Sequence, residues 1–362
     1  MPATTSSRHY LFIEIARVFV IPVVVLMHVH DLLVPAANGV SLHTFISPFI
    51  RFVIPAFLMI SGMVLGLRHR DPHYHVTVGD FWYRRLYSLI IPFLTWNAVY
   101  IVISAVASGR PMLTMQNLVS ITTGYMHLYF IFVLLQFLLI YSLMSNAITT
   151  RQLLWCLCAA MLCSVAFYSI SEMLLRSHGA DQHRFEWTYG KLCLGWAVFF
   201  FWGLWLGYSP ATMDFLKRNH RWFFAAALCA FMPYGAATRN QLLEFGSLSR
   251  DYFLLTGLPY QFLAGTWLLA WLYRLENHLQ SSPLALRIAG MGKYVFHVYM
   301  AHLAILIGVI SIWQSLSLNS SVYLQIPVIS AITLLANSFL IQFCNLPPLA
   351  LMRLLLFGGR GD

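Results

Sequence analysis

Apolar runs of membrane-spanning length follow one another along nearly the whole chain. An α-helix rises 1.5 Å per residue, so about 20 apolar residues cross the roughly 30 Å hydrocarbon core of a bilayer. Ten such runs lie at residues 11–33, 45–67, 81–107, 126–147, 152–171, 191–208, 221–238, 252–273, 293–314 and 322–345. The sequence therefore predicts an all-α, polytopic integral membrane protein with about ten transmembrane helices.

The composition agrees with a membrane protein and excludes an ordinary soluble domain. Hydrophobic residues make up 59% of the 362 residues and charged residues only 9%, whereas soluble domains carry about 25% charged residues. We recognise no linker, low-complexity run or internal repeat. We therefore expect a single membrane-embedded domain over residues 1–362, with a helical core over about 10–345 and a cytoplasmic tail over 346–362.

The basic residues predict how the chain is oriented. The formal charge is +10, but the 22 Lys and Arg residues are spread among apolar runs, so topology explains them better than a nucleic-acid partner does. Cytoplasmic loops carry an excess of basic residues. With the N-terminus inside, 14 of them fall in cytoplasmic segments and 6 in external loops, while Arg17 and Arg51 lie within spans. We expect both termini in the cytoplasm.

The first span carries three ionisable residues in otherwise apolar sequence, namely Glu14, Arg17 and His28. An offset of 11 residues is close to three full helical turns, so Arg17 and His28 leave the same face about 16 Å apart in height. Glu14 is three residues before Arg17, as an ion-pair partner would be. Ionisable groups at membrane depth are costly and mark functional tracks. A topogenic ion pair with one hydrogen-bonded core histidine is the structural alternative.

The segment between the second and third spans is the densest basic cluster. It contains Arg68, Arg70, Arg84 and Arg85 together with histidines at 69, 73 and 75. Arginine binds phosphate through several donors at once, so the cluster predicts an anion site as well as a topology signal. It lacks the glycine-rich loop of nucleoside triphosphate sites. The histidines have no carboxylate or cysteine partner that completes a known ligand set, so we expect no metal.

Other polar residues mark later spans. His127 begins the fourth span, and Tyr299 and His302 share one face of the ninth because three residues separate them. His297 is five residues before His302, so only one of this pair is expected to line a cavity. In the second span, Ser61 and the glycine after it predict close helix packing or a hydroxyl that faces the cavity.

At this point the sequence resembles the acyltransferase-3 family of integral membrane acyltransferases. The matching features are Glu14-Ile-Ala-Arg17 followed by His28, the segments 54–62 and 81–92, the His127-Leu-Tyr-Phe start of the fourth span, and the Val-Tyr-Met-Ala-His segment at 298–302. The family often has two arginines three residues apart before the proline. Here the residue three positions after Arg85 is Ser88, and the second arginine, Arg84, directly precedes Arg85. The chain resembles the stand-alone form and the exopolysaccharide- and glucan-modifying branch.

The resemblance implies transfer of an acetyl or succinyl group from cytoplasmic acyl-CoA to a hydroxyl of a surface or periplasmic glycan. It places the protein in the bacterial cytoplasmic (inner) membrane, with no permanently bound cofactor. His28 would act as general base or as a transient acyl carrier. Arg17 would hold the thioester arm or orient the surroundings of His28, and Glu14 would position Arg17.

The resemblance also assigns the binding residues. Arg68, Arg84 and Arg85 would meet the CoA phosphates. Four residues would face the acceptor: His127, Tyr299, His302 and Ser61. A polysaccharide exporter or flippase and a non-catalytic subunit of a glycan synthase are the alternatives, because ten spans and a polar track would serve either. Besides acyl-CoA, the glycan and membrane lipids, a glycan synthase complex and a homo-oligomer are both open as assemblies.

Overall fold

The computed structural model of the chain describes residues 10–34, 42–70, 76–109, 111–144, 149–177, 189–245, 253–317 and 321–358. These residues form helices and turns, with no strand among them. The α-helices are α1 (Leu11–Leu33), α2 (Leu42–Ile50), α3 (Val53–Arg70), α4 (Val78–Arg85), α5 (Ile91–Ser108), α6 (Met115–Thr123), α7 (Tyr129–Leu143), α8 (Thr150–Ser177), α9 (Ala197–Tyr208), α10 (Pro210–Phe245), α11 (Gly257–Ser281), α12 (Pro283–Gly290), α13 (Val295–Ser315), α14 (Val322–Cys344) and α15 (Ala350–Phe357).

Seven helical segments are long and apolar enough to cross a membrane, which confirms an all-α, polytopic membrane protein. They are Leu11–Leu33, Phe45–Arg70, Val78–Ser108, Met126–Leu143, Thr150–Leu174, Pro283–Ser315 and Val322–Cys344. The other three predicted spans coincide with α9, α10 and α11, which are too short or too polar by the same measure. The total of ten spans and the cytoplasmic termini stay predictions.

The start of α1 is fixed by a carboxylate from α11. The first backbone N–H groups of a helix have no partner within the helix. Glu276, which is buried, accepts the N–H groups of Leu11 at 3.1 Å and Phe12 at 2.8 Å. A negative charge there also complements the positive end of the helix dipole. This capping sets the height of α1, and therefore of its polar face, against the rest of the bundle.

We call the end of the bundle where α1 begins the basic end. Arg70 at the end of α3 donates to the Tyr10 hydroxyl at 3.1 Å. The Lys217 ammonium near the start of α10 lies 5.3 Å from the ring centre of Tyr273 near the end of α11. These contacts bring together basic residues that the sequence assigns to cytoplasmic segments. Lys191, assigned to an external loop, instead donates to the Gly124 carbonyl, just after α6.

The closest helix pair, α3 with α9, is built on four glycines. An added Cβ at Gly62 would lie 2.1 Å from the Phe200 carbonyl oxygen, and one at Gly203 would lie 2.0 Å from that of Met59. Gly66 and Gly207 repeat the arrangement one turn further on. Glycines four residues apart let two membrane helices approach to backbone contact. The close packing predicted for the glycine after Ser61 is therefore confirmed.

A π-helical turn joins α4 to α5 and lies directly before a proline. The turn covers Leu86–Ile90 and ends two residues before Pro92. Proline lacks a backbone N–H and its ring clashes with the preceding turn, so it removes one hydrogen bond from the regular α pattern there. The third predicted span is thus one helical segment with a local change of winding.

The last described residues differ from the predicted tail. Residues 350–357 form α15, and Phe357 is buried 6.4 Å, ring centre to ring centre, from Trp96 of α5. The Trp96 indole N–H donates to the Leu356 carbonyl at 2.7 Å. The helical core therefore extends past residue 345. The prediction ended the core too early because this helix is too short to be recognised as a span.

Candidate active site

Three histidines from three separate segments meet inside the bundle, and we call them the histidine cluster: His28 of α1, His127 at the start of α7, and His302 of α13. Their ring centres lie 5.9 Å apart for His28 and His127, 5.2 Å for His28 and His302, and 4.7 Å for His127 and His302. The rings are therefore in mutual contact. The sequence predicted all three as site residues, and the structure brings them together.

Tyr299 connects two of the histidines through its backbone and its hydroxyl. Its carbonyl oxygen lies 2.8 Å from His302 Nδ1 and 3.1 Å from His127 Nε2. A carbonyl oxygen only accepts, so each of these nitrogens carries the hydrogen. The Tyr299 hydroxyl donates to the His127 carbonyl at 2.5 Å. When both rings are neutral, His302 Nε2 and His127 Nδ1 are consequently the basic nitrogens.

Those two basic nitrogens are buried without a hydrogen-bond partner among the described residues. His127 is 7% exposed and His302 is fully buried. A buried polar atom that is left unpaired is destabilising by about 1–3 kcal/mol. Unpaired buried polar atoms occur at catalytic sites, at strained positions and where water binds, and here two of them belong to one cluster of histidines.

His28 differs from the other two because its side chain is only partly buried. It has no hydrogen bond to any described residue. Asp31 and Arg51 are the charged side chains that interact electrostatically with its ring, besides the other histidines. The Asp31 carboxylate in turn accepts the Ser47 hydroxyl at 3.4 Å. His28 is thus the most exposed member of the histidine cluster.

His127 is held by a strained turn between α6 and α7. Gly124 has a φ of +90° and Met126 a φ of +48°, a region that residues with side chains seldom adopt. Asn97, fully buried in α5, accepts the Tyr125 N–H at 2.5 Å, and Lys191 donates to the Gly124 carbonyl at 2.9 Å. Backbone strain of this kind persists where the surroundings fix it, often at functional sites.

Tyr100 of α5 contacts both α13 and His127 of the histidine cluster. Its hydroxyl donates to the Met300 carbonyl at 2.8 Å and accepts the Ala304 N–H at 3.1 Å, so it bonds to both turns of α13 around His302. Its ring centre also lies 5.2 Å from that of His127, with the two rings nearly perpendicular. Sequence reasoning missed Tyr100 and Asn97. An amide inside an apolar run was the available signal for Asn97, and Tyr100 had none.

Arg17 and Glu14 form the predicted ion pair, with Arg17 Nη1 2.9 Å from Glu14 Oε1. Both side chains are partly exposed, at 30% and 22%. Glu14 packs on Gly292, where an added Cβ would lie 2.2 Å from its second carboxylate oxygen. The pair is nearer the basic end than the histidine cluster is. Arg17 and His28 share a helix face, as the spacing predicts, but do not touch.

A mostly apolar cavity of about 340 Å³ runs beside α1 between these two levels. On α1 it is lined by Val18, Ile21 and Pro22, which follow Arg17 in sequence. On α13 it reaches Val298, whose carbonyl oxygen is 3.3 Å from His302 Nδ1. The cavity therefore lies between α1 and α13, and its lining residues include neither the ion pair nor the histidine cluster.

The predicted phosphate-binding arginines lie elsewhere at the basic end. The Arg85 guanidinium stacks 4.7 Å from the Phe81 ring centre, while Arg84 and Arg68 are exposed. Helix α4, which carries Arg84 and Arg85, packs on the end of α7, where the Trp82 indole donates to the Ser142 hydroxyl at 3.1 Å.

Ser61 lies outside the histidine cluster. Its hydroxyl donates to the Phe57 carbonyl one turn earlier, at 2.8 Å, and has no bond to a cluster residue. Phe57 itself contacts Tyr299, ring centre to ring centre, at 6.5 Å. His297 also lies apart, against Phe357 at 5.0 Å.

Two further predictions concern metal and the basic loop. Within the part of the chain that the structure describes, no group of three or more His, Cys, Asp or Glu side chains is arranged to hold a metal ion. Of the loop histidines, His69 contacts the Tyr208 ring at 6.0 Å. Residues 73 and 75 lie outside the described residues.

A family model described as an acyltransferase domain matches residues 10–342 of the chain. The match covers α1 through most of α14 and so includes the whole histidine cluster with Tyr299. No curated protein and no solved structure matches the chain.

Proposed function

The chain belongs to the acyltransferase-3 family of membrane acyltransferases, and on this premise we propose that it moves an acyl group from cytoplasmic acyl-CoA to a hydroxyl of a surface or periplasmic glycan. The acyl group is acetyl or succinyl. The protein acts in the bacterial cytoplasmic membrane, where its spans separate the two substrates.

The observation that carries this proposal is the histidine cluster with its two unpaired basic nitrogens. Acyl transfer to an alcohol needs a base that removes the hydroxyl proton during attack. Histidine suits this role because its unperturbed pKa, about 6.5, lies near physiological pH. A buried cluster of imidazoles with unpaired nitrogens supplies such a base within the spans.

His28 is the general base in this account. It takes the proton of the glycan hydroxyl while the oxygen attacks the thioester carbonyl carbon. The new C–O bond forms as the C–S bond breaks, and the proton passes to the departing thiolate, which leaves as the free thiol of CoA. In the covalent alternative, His28 attacks the thioester first, releases the thiol, and passes its acyl group to the hydroxyl.

The neighbouring histidines keep the site ready for this step. His127 and His302 are locked by the Tyr299 carbonyl, so their basic nitrogens are fixed in position. Preorganised groups of this kind need little rearrangement when charge develops in the transition state. Tyr299 and the two histidines therefore position the acceptor and stabilise the charge that develops as its proton is removed.

Arg17 and the apolar cavity serve the donor side. The donor approaches from the basic end, and the excess of basic residues there supports a cytoplasmic position for this end. Arg17, held by Glu14, meets the thioester arm, and the cavity beside Val18 and Pro22 carries the arm towards α13. The contacts of Arg68, Arg84 and Arg85 with the CoA phosphates stay a sequence-based prediction.

The test is the ester content of the glycans that cells make with and without the protein. Mass spectrometry of surface and periplasmic glycans should show O-acyl groups only when the protein is present, with the glycan yield unchanged. If the glycan itself fails to reach the surface in cells that lack the protein, the exporter or flippase reading replaces this one. Unchanged ester content would reject the transferase role.

A further inference from the structure

A basic cavity lies between α10 and α11 at the basic end, apart from the histidine cluster. Its volume is about 470 Å³, and its lining residues are Lys217, Arg218, His220, Arg221 and Arg274. Four of the five come from residues 217–221 of α10, and like charges four residues apart on a helix repel one another. The sequence presents these residues only as topology signals, because their convergence with Arg274 depends on how α10 packs against α11.

No carboxylate among the described residues neutralises the positive charge of this cavity. Among the described residues, none of Lys217, Arg218, Arg221 and Arg274 forms an ion pair with a carboxylate. The two acids nearest to these residues in sequence have other partners: Asp214 accepts the Tyr273 hydroxyl at 3.4 Å, and Glu276 caps α1. Four cations around one cavity without an acidic partner favour an anionic ligand.

The hydrogen bonds inside the cavity orient its cations. His220 is buried, and its Nδ1 lies 3.1 Å from the Lys217 carbonyl, so this nitrogen carries the hydrogen. Its Nε2 then accepts from Arg274 Nη1 at 2.9 Å. A neutral imidazole thus holds the Arg274 guanidinium without cancelling its charge. The remaining N–H groups of Arg274 stay available for a phosphate.

The cavity lies close to α1, the helix that carries Glu14 and Arg17. Lys217 contacts the Tyr273 ring, and the Tyr273 ring lies 5.2 Å from that of Phe12 in α1. Phe12 is two residues before Glu14 in sequence. The cavity is therefore two side-chain contacts from the start of the Glu14–Arg17 face, whereas Arg84 and Arg85 lie on a helix that packs on α7.

We propose that this cavity binds the phosphate groups of the acyl donor. The inference rests on the proposed function for the identity of the donor, and it assigns the donor phosphates to Lys217, Arg218, Arg221 and Arg274 in place of Arg84 and Arg85. The shared chemistry is a ligand with several phosphate groups, which a free donor or an anionic lipid headgroup could supply.

The test is equilibrium binding to the purified full-length chain in nanodiscs of neutral phosphatidylcholine, with coenzyme A and inorganic pyrophosphate as probes. The two probes should compete for one site. The double variant Arg218→Gln/Arg221→Gln should bind both about 10- to 100-fold more weakly, since charge-assisted hydrogen bonds to phosphate are lost. The control Arg287→Gln/Lys293→Gln, which also removes two charges at the basic end, should bind like the wild type.

Three outcomes contradict the proposal. Unchanged binding in the Arg218→Gln/Arg221→Gln variant would leave the cavity without a ligand role. A loss confined to Arg84→Gln/Arg85→Gln would move the phosphates to α4. Pyrophosphate binding that disappears in nanodiscs rich in phosphatidylglycerol would identify a lipid headgroup as the occupant. His28→Ala should bind coenzyme A normally, so a failure of transfer with intact binding counts against the proposed function alone.

Discussion

At the scale of single residues, the site is formed by side chains of separate helices that meet inside the bundle. Glu14, Arg17 and His28 lie on one helix, so their shared face follows from helical geometry alone. The meeting of His28 with His127 and His302 could not be derived in this way. Those residues belong to different spans, and the register between spans is set by packing, which a single sequence does not display.

The same limit explains the residues that the sequence left out. Tyr100 acts through bonds to Met300 and Ala304, two backbone groups 200 and 204 residues away in sequence. Glu276 fixes the start of α1 across a comparable separation. A side chain that bonds to distant backbone leaves no local pattern, so only the folded chain reveals its role.

Arg17→Lys is the residue-scale prediction. Lysine keeps the charge but lacks the planar fork that binds Glu14 and the donor arm together. We expect kcat/KM for the acyl donor to fall about 10- to 100-fold, the effect of losing one hydrogen bond between charged groups. Donor-saturation kinetics of the purified protein measure it.

The control is Arg287→Lys, an exposed arginine of α12 at the same end of the bundle. It should retain wild-type kinetics. If Arg17→Lys does so as well, the Glu14–Arg17 pair serves only to orient α1 in the membrane, and its functional assignment is wrong.

At the scale of helices, α3 with α9 shows what a local pattern can and cannot predict. The small residues at 61 and 62 indicated a close helix approach, but not which helix would approach. The partner carries its own two glycines, Gly203 and Gly207, which sequence reasoning left unassigned. Small-residue faces are informative about packing, and a second such face elsewhere in the chain is the signal for the partner.

Gly203→Ala is the prediction at this scale. The new Cβ would lie 2.0 Å from the Met59 carbonyl oxygen, a backbone atom that cannot rotate away. Overpacking typically destabilises by about 1–3 kcal/mol, and we expect the upper part of that range or more. Thermal unfolding of the protein in detergent should show a clear fall in Tm.

Gly308→Ala provides the matched comparison, because no atom lies within 4 Å of its added Cβ. This variant should unfold at or slightly above the wild-type temperature, since alanine favours helix more than glycine does. Equal Tm values for Gly203→Ala and the wild type would show that α3 and α9 are not in backbone contact.

At the scale of the whole molecule, the fold class and the order of the helices follow from the apolar runs. Seven runs are helical segments long and apolar enough to cross a membrane. The remaining three are helices that do not meet this criterion of length and composition. The sequence placed the end of the core too early, because α15 is recognised only by its packing on α5. The basic cavity was also missed, since its residues converge only when α10 packs on α11.

The arrangement of helices predicts the topology. Tyr208 at the end of α9 bonds to Thr150 at the start of α8, while Lys191 bonds to the turn after α6 at the other end. Reporter fusions after residues 209 and 362 should both be cytoplasmic, and a fusion after residue 190 should be external. A cytoplasmic reporter at 190 or an external one at 362 would overturn the orientation and the side from which the donor enters.

The most direct test of the account is acyl transfer by His28→Ala. Purified protein would be given acyl-CoA and a hydroxyl acceptor, and ester formation would be measured beside the wild type and His278→Ala, an exposed histidine at the end of α11. General-base catalysis contributes about 10²–10⁴-fold, so His28→Ala should lose activity by that factor while it still folds and binds coenzyme A. His278→Ala should keep full activity. Near wild-type turnover by folded His28→Ala would contradict the account, because the histidine cluster would then be structural.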